Sequence, residues 1–343
     1  MKIAMGILAY NEERTIGSTI SSLAEQSVFE NPNHTISIHV VPNGCRDATA
    51  LLAREALESL KKRHPSVQVE VNELTEGGKA NAWNHFVHEF SPADAEGLLL
   101  LDADIHFGEP ECLERVVKTL MESPAAVVAV DLPLKDIALK KKPSVRERLS
   151  VNASHLQVTG TPKIAGSLYF VRADALRSFW MPLGLLVEDG FVKAMLLTDS
   201  FRHPEIAEGI VRAPEATHYF KAVTGLKDWF SHERRLLNGT ALNILLFSYI
   251  QQLIRDGEDP NWGRILAAIG TTSATFDPYR IDVNLNGVQV CTDSSPGADR
   301  DLVDMSGEII EIVIDLNMGS ESATIMTNDL TAMYVHENSA YAT

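Results

Sequence analysis

Continuous apolar runs and helical spacings alternate along the first third of the chain. KIAMGILAY (2–10) is apolar throughout, as expected of a strand buried on both faces, and NEERTIGSTISSLAEQ (11–26) then repeats apolar residues at Ile16, Ile20 and Leu23, a helical spacing. The pattern continues with a strand at 35–43, a helix at 46–63, an alternating strand at 67–73 and a helix at 77–90 opened by Gly77-Gly78. A fourth strand, GLLLLDAD (97–104), precedes a fourth helix at 112–121. Strand–helix repetition predicts an α/β fold, a mostly parallel sheet with helices on both faces. The middle predicts a short strand pair over 162–176, a helix headed by Glu188-Asp189 within 182–197, and a basic helix over 225–240. Beyond Gly257 the pattern changes to amphipathic strands at 280–293 and 307–319 and a helix at 329–341, a smaller C-terminal α+β unit.

In open α/β sheets, ligands sit outside the carboxyl ends of the strands. Those ends read Ala9-Tyr10-Asn11-Glu12, Pro42-Asn43-Gly44, Asn72-Glu73 with the Gly77-Gly78-Lys79 turn, and Asp102-Ala103-Asp104. In an extended segment Asp102 and Asp104 would share a side, repelling each other unless a cation or water intervenes. Such a pair suits Mg2+ or Mn2+, hard cations held by one or two carboxylates plus substrate phosphates. An isolated Asp-x-Asp is also a common solvated strand end; its place after a buried strand favours the metal reading. Lys79, at a helix start after two glycines, is a candidate phosphate contact.

Net charge of −16 excludes the basic face a nucleic-acid binder needs. The charge is uneven: from Asp256 onward there are 15 acids against three arginines, and no lysine follows Lys227. That break marks a junction of two units. Three cysteines without metal-ligand spacing read as free thiols of a reducing, cytoplasmic compartment. Met1-Lys2-Ile3 runs straight into a strand pattern rather than signal-peptide anatomy, and ALNILLFSYI (241–250) is too short for a membrane span of about 20 residues.

In order, AYNEERTIGSTISSL, VVPNGCRDAT, GGKANAWN, LLLLDAD, GSLYFVRADAL, VEDGFV and WFSHERRLLNG resemble the successive motifs of the family 2 glycosyltransferases over residues 1–245. The resemblance implies a GT-A fold and transfer of a sugar from a nucleotide-diphosphate donor to an acceptor, whose identity the sequence leaves unread. It implies that Ala9, Tyr10, Asn11 and Glu12 line the nucleoside pocket with Asn43, that Asp102 faces the ribose or metal, and that Asp104 binds the metal, with His218 as a candidate third ligand. Gly166 and Lys79 fall at the donor site. Glu188-Asp189 matches the family's acidic pair, in which the Asp is the general base of an inverting transfer. Arg234 and Arg235 fall where relatives often carry a Gln/Arg-x-x-Arg-Trp element near the diphosphate. Pro42-Asn43 replaces the paired acids of many relatives, and Leu236 stands where the Trp is expected, which argues against processive polymer synthesis.

Residues 246–343 carry a second resemblance. DGEDPNWGRILAAIG (256–270), IDVNLNGVQV (281–290) and the segment from 308 to the C-terminus resemble the C-terminal part of the ornithine acetyltransferases (glutamate N-acetyltransferases). There the residues matching Asn338 and Thr343 help bind the amino-acid substrate. Those enzymes need a Thr nucleophile released by self-cleavage, and this chain has no Lys-Gly…Ala-Thr cleavage segment. An incomplete unit of this kind would call for a homo-oligomer or partner chain to cover its core face. The competing readings are a sugar-phosphate nucleotidyltransferase, opposed by Tyr10-Asn11-Glu12-Glu13 where a Gly-rich basic loop is expected, and a catalytically inactive GT-A scaffold serving the C-terminal module.

Overall fold

The computed structural model describes residues 1–139, 162–206, 208–221, 226–257, 282–292, 295–297, 302–303 and 312–315. The strands are β1 (Lys2–Ala9), β2 (Thr35–Pro42), β3 (Gln68–Val71), β4 (Gly97–Asp102), β5 (His106–Phe107), β6 (Val128–Lys135), β7 (Leu168–Arg172) and β8 (Ile210–Phe220). They form one sheet in the order β3-β2-β1-β4-β7-β6-β8-β5. The first four in that order are parallel; β7 runs antiparallel to both β4 and β6, and β5 antiparallel to β8. The helices are α1 (Ile16–Ala24), α2 (Thr49–Arg63), α3 (Lys79–His85), α4 (Cys112–Met121), α5 (Ala173–Arg177), α6 (Glu188–Leu197) and α7 (Leu226–Arg255).

The four leucines of β4 show why the sheet is buried on both sides. Leu99 and Leu101 pack with Ile3, Met5 and Ile7 against α1, α2 and α4, while Leu98 and Leu100 pack with Ala4, Trp83 and Phe86 on the other face. This is the strand period of two read out on two cores. Each leucine buried in this way is worth about 1.5–3 kcal/mol. On α1, Ile16, Ile20 and Leu23 are all fully buried, as their spacing predicts.

Gly6, in the middle of β1, is required by packing. A Cβ there would stand 2.6 Å from the Phe86 ring, which is itself fully buried. Gly6→Ala should cost about 1–3 kcal/mol through overpacking, seen as a lower urea midpoint with an unchanged slope.

Several elements differ from the sequence pattern. β4 ends at Asp102, and Ala103-Asp104 turn away toward β5. Asp102 therefore closes the strand while Asp104 lies in the turn that follows, still near enough for its charge to raise the Asp102 carboxyl. The helix at 77–90 starts at Lys79 and finishes in a π turn at Phe86–Phe90. The expected strand pair at 162–176 is one strand, β7, joined to a single bridge between Ala165 and Leu168, and Ala173–Arg177 are helical. The basic helix extends well past 240, and Leu246 and Ile250 are buried in the core with Phe191. A domain boundary at 245 would cut this helix.

Further along, a second antiparallel sheet has the order β11-β10-β9-β12, with β9 at Asp282–Leu285, β10 at Val288–Thr292, β11 at Ser295–Pro296 and β12 at Ile312–Asp315. Asn286 and Gly287 both have positive φ (48° and 79°), as the two-residue hairpin turn between β9 and β10 requires. The expected helix at 329–341, and with it Asn338 and Thr343, lies outside the described residues. Among the described residues no helix is long and apolar enough to cross a membrane.

Candidate active site

The carboxyl edge of β1, β2 and β4 is built from loops that bind each other. Asn11, in the left-handed region at φ 54°, accepts from the Arg46 N–H through Oδ1 at 2.9 Å, and the Glu12 N–H donates to Thr49 Oγ1 at 2.7 Å. The Glu12 carbonyl receives the N–H groups of Thr15 and Ile16, so the residue opens α1. Tyr10 is exposed, with 57% of its surface open.

Asn43 does a different job from the one its sequence position suggests. It is buried; its Nδ2 donates to the Ala9 carbonyl at 2.8 Å, and its Oδ1 accepts from the Gly78 N–H at 2.9 Å. Through these two bonds Asn43 ties β1 to the Gly77-Gly78 turn. Ala9 is likewise in the core, its carbonyl occupied by Asn43. Gly44 completes the knot: at φ 60°, a Cβ on it would lie 2.7 Å from the Gly77 backbone.

That turn delivers Lys79 into an acid cluster. Its Nζ lies 2.8 Å from Asp102 Oδ1, 2.7 Å from Glu188 Oε1 and 3.2 Å from the Gly166 carbonyl. Gly166 sits close under this pair, and a Cβ there would stand 3.1 Å from Glu188 Oε1 and 3.4 Å from Lys79 Nζ. Burial opposes the lysine's charge, but the carboxylates of Asp102 and Glu188 win and hold it protonated well above the usual range. Glu188, in spite of its burial, is kept below the usual carboxylate range, chiefly by Lys79.

Asp189 stands apart from that neutralisation. Burial, then the neighbouring Glu188 charge, pushes its carboxyl up to about 6, outweighing the Gly190 N–H that it accepts at 2.8 Å. The pair opens α6, and α7 steadies that opening: Asn243, buried, donates to the Val187 carbonyl at 2.8 Å, and Gly239 lets the helix approach Val187 closely. Arg235 is exposed yet near enough to lower both Glu188 and Asp189; Arg234 beside it is also exposed.

Asp104 sits in the turn pinned by Thr19, whose hydroxyl donates to the Ala103 carbonyl at 2.9 Å. Burial and the nearby Glu12 lift its carboxyl above the usual range, and Lys79 and His218 pull less strongly the other way. His218 on β8 is fully buried; its Nδ1 meets Asp131 Oδ2 at 2.7 Å and its Nε2 meets Ser167 Oγ at 2.9 Å. Ser167, Asp131 and Asn243 were not singled out from the sequence. The one local signal was Asp131 itself, an acid inside the apolar strand run VVAVDLPL.

Among the described residues no three His, Cys, Asp or Glu side chains converge as a ready-made metal cage. The donor set nevertheless fits a hard divalent cation. Asp104 has its carboxyl raised by burial and by a like charge, a site that an added cation would relieve, and Mg2+ commonly takes only one or two carboxylates with phosphate oxygens.

A mostly parallel α/β sheet with an acid–lysine cluster at its carboxyl edge has its polar groups where open α/β folds place ligands. The model of glycosyl transferase family 2 matches residues 5–180, half of the chain, and the chain belongs to that family. The model of the ArgJ family matches residues 251–343. Over 86 residues the chain is 63% identical to the arginine biosynthesis bifunctional protein ArgJ of Streptomyces avermitilis, covering 25% of this chain and 22% of that one. The ArgJ of Thermobifida fusca is 56% identical over 87 residues, 25% of this chain and 23% of that one. The chain thus spans about a fifth of the length of the curated relatives it matches. Among solved structures it is similar to a Pyrobaculum calidifontis mannosyltransferase in complex with GDP-Man and Mn2+, at 18% identity and TM-score 0.49 over 78% of this chain and 68% of that one. It is also similar to Mycobacterium tuberculosis glucosyl-3-phosphoglycerate synthase with Mn2+ and UDP, at 16% identity and TM-score 0.46 over 76% and 81%.

Proposed function

We propose that this chain transfers a sugar, with inversion, from a nucleotide-diphosphate donor to an acceptor hydroxyl, with Asp189 as general base. The observation that supports it most is the division of labour in the acidic pair: Glu188 is paired to Lys79, while Asp189 is left with a carboxyl near 6, close to the pH at which a base must work. In this reading Asp189 takes the acceptor proton as that oxygen attacks the anomeric carbon from the side opposite the diphosphate. Glu188 and Asp102 hold Lys79 in place beside Gly166, and Tyr10, Asn11 and Glu12 flank the nucleoside. Arg234 and Arg235 would face the leaving diphosphate.

Mg2+ or Mn2+, held by Asp104 with the donor's phosphate oxygens, would supply charge neutralisation for that diphosphate, while Asp102 stays paired to Lys79 and His218 to Asp131 and Ser167. We assign the transferase unit to the residues up to the end of α7, because Leu246 and Ile250 belong to its core, and the ArgJ-like segment to a second unit. Asn338 and Thr343 would bind an amino-acid-like group in that second unit.

The donor-site reading is tested by thermal melting with UDP and GDP, each with and without Mg2+ or Mn2+. At a hundredfold excess over Kd a bound nucleotide adds about 2.7 kcal/mol, a shift of several degrees. The shift should appear only with the cation. No shift with either nucleotide would sink the reading.

A further inference from the structure

Lys79 and Glu188 are joined by their ion pair, and the two helices that carry them are joined a second time, deeper in the core. Trp83 follows Lys79 by four residues on α3, and Phe191 follows Glu188 by three on α6, so each shares a helix face with its charged neighbour. Phe179 fills the space between them. Its ring stacks on Trp83 with centroids 5.5 Å apart and meets Phe191 edge-on at 5.9 Å. All three side chains are buried. The segment bearing Phe179 is fixed to α3 by Asn84, whose Nδ2 donates to the Met181 carbonyl at 2.7 Å and whose Oδ1 accepts the Met181 N–H at 2.8 Å.

One polar contact orients this aromatic row. An indole N–H can only donate, and Trp83 Nε1 donates to the Tyr169 hydroxyl at 2.8 Å inside the core. Tyr169 lies on β7 opposite Leu100 of β4, two residues before Asp102. Burial holds its phenol well above the ordinary range, so it stays a neutral hydroxyl, and the charges of Lys79, Glu188 and Asp102 reach it. We infer that Tyr169 and Trp83 are positioning residues that set, through Phe179 and Phe191, the separation between Lys79 and the base Asp189. This rests on the base reading given above. A displacement of about 1 Å between reacting groups costs about 10²-fold in rate. The nucleoside and metal contacts assigned to Tyr10, Asn11, Glu12 and Asp104 lie outside the row, so its loss belongs to turnover rather than to binding.

The test uses the full chain with Mn2+ and two donor probes, UDP-glucose and GDP-mannose, with water as the acceptor. Water attacks the anomeric carbon, the bond to the diphosphate breaks, and Asp189 takes the proton. Nucleotide release gives the rate, and calorimetry with UDP or GDP counts the chains that bind. Tyr169→Phe should release nucleotide about 10–100-fold more slowly per binding chain, with Kd within about threefold of wild type. Trp83→Phe should be similarly slow, and Tyr169→Phe added to it should cost less than about twofold more, because the hydroxyl acts through the indole. A merely structural role would lower binding sites and rate in the same proportion, and that result overturns the inference. So does an equal loss from Tyr169→Phe in both backgrounds. Should Tyr169→Phe fail to fold, Phe179→Leu decides: it spares the hydrogen bond, and an unchanged rate per binding chain would sink the row. Wild type that releases nothing from either donor, or Asp189→Asn that releases it as fast as wild type, sinks the base reading and this inference together. A slow Asp189→Asn beside a Tyr169→Phe of wild-type rate sinks this inference alone.

Discussion

Asp189→Asn is expected to lower kcat by about 10²–10⁴ while leaving nucleotide affinity within a few-fold of wild type. The substitution keeps the size of the side chain and an oxygen for the Gly190 N–H, so the start of α6 should hold. What it removes is the ability to take a proton. The pH profile makes the assignment sharper. A base works only when deprotonated, and burial with the Glu188 charge pushes this carboxyl up to about 6. Wild-type kcat/KM should therefore fall about tenfold per pH unit below 6 and level off above it. Glu188→Gln removes the like charge, so the acid limb should move to lower pH. In Asp189→Asn the limb should vanish with the rate. A variant that retains turnover within tenfold of wild type would show that the base lies elsewhere.

The strands that carry this site were legible because their burial is written in consecutive residues: four leucines alternate between two cores and deliver Asp102 at the edge. The same held for Lys79 and Glu188-Asp189, which stand at helix starts marked by a glycine turn or an acidic first turn. What the pattern lacked was pairing across distance. Asn43 reads as an exposed loop amide until Ala9 and Gly78 are seen to bind it. Ser167 and Asp131 lie 51 and 87 residues from His218, and no local spacing joins them. The turn at Ala103-Asp104 depends on a hydroxyl from Thr19, 84 residues away. Periodicity reports which side of an element is dry. It is silent on which polar groups meet there.

Lys79→Met should be the most destabilising change in the site, and its cost should depend on pH and on metal. Lys79 is the cation shared by Asp102 and Glu188, and the three side chains are 33%, 29% and 15% exposed. Exposed pairs are worth about 0–1 kcal/mol, and breaking a fully buried one costs about 3–5. This partly screened cluster falls between them, at roughly 1–3 kcal/mol near neutral pH. Without the lysine, burial and the like charges of the cluster act unopposed, so Glu188 rises above its unfolded value and Asp102, already above it in the wild type, rises further. A folded state that binds more protons than the unfolded one loses stability as pH rises. The deficit of Lys79→Met should accordingly be largest at pH 8 and shrink toward pH 5 as those carboxyls protonate. Urea unfolding at both pH values measures it. Adding Glu188→Gln removes one of the stranded charges, so the double variant should regain stability, with a coupling of about 0.5–3 kcal/mol. Mn2+ should raise the melting temperature of Lys79→Met more than that of wild type, because a divalent ion relieves the same repulsion. If the variant unfolds like wild type at pH 8, solvent already screens the cluster and Lys79 does not organise the site. If it is destabilised but indifferent to Mn2+, the lysine's partners are not where the cation goes, and Asp104 must hold it away from Asp102.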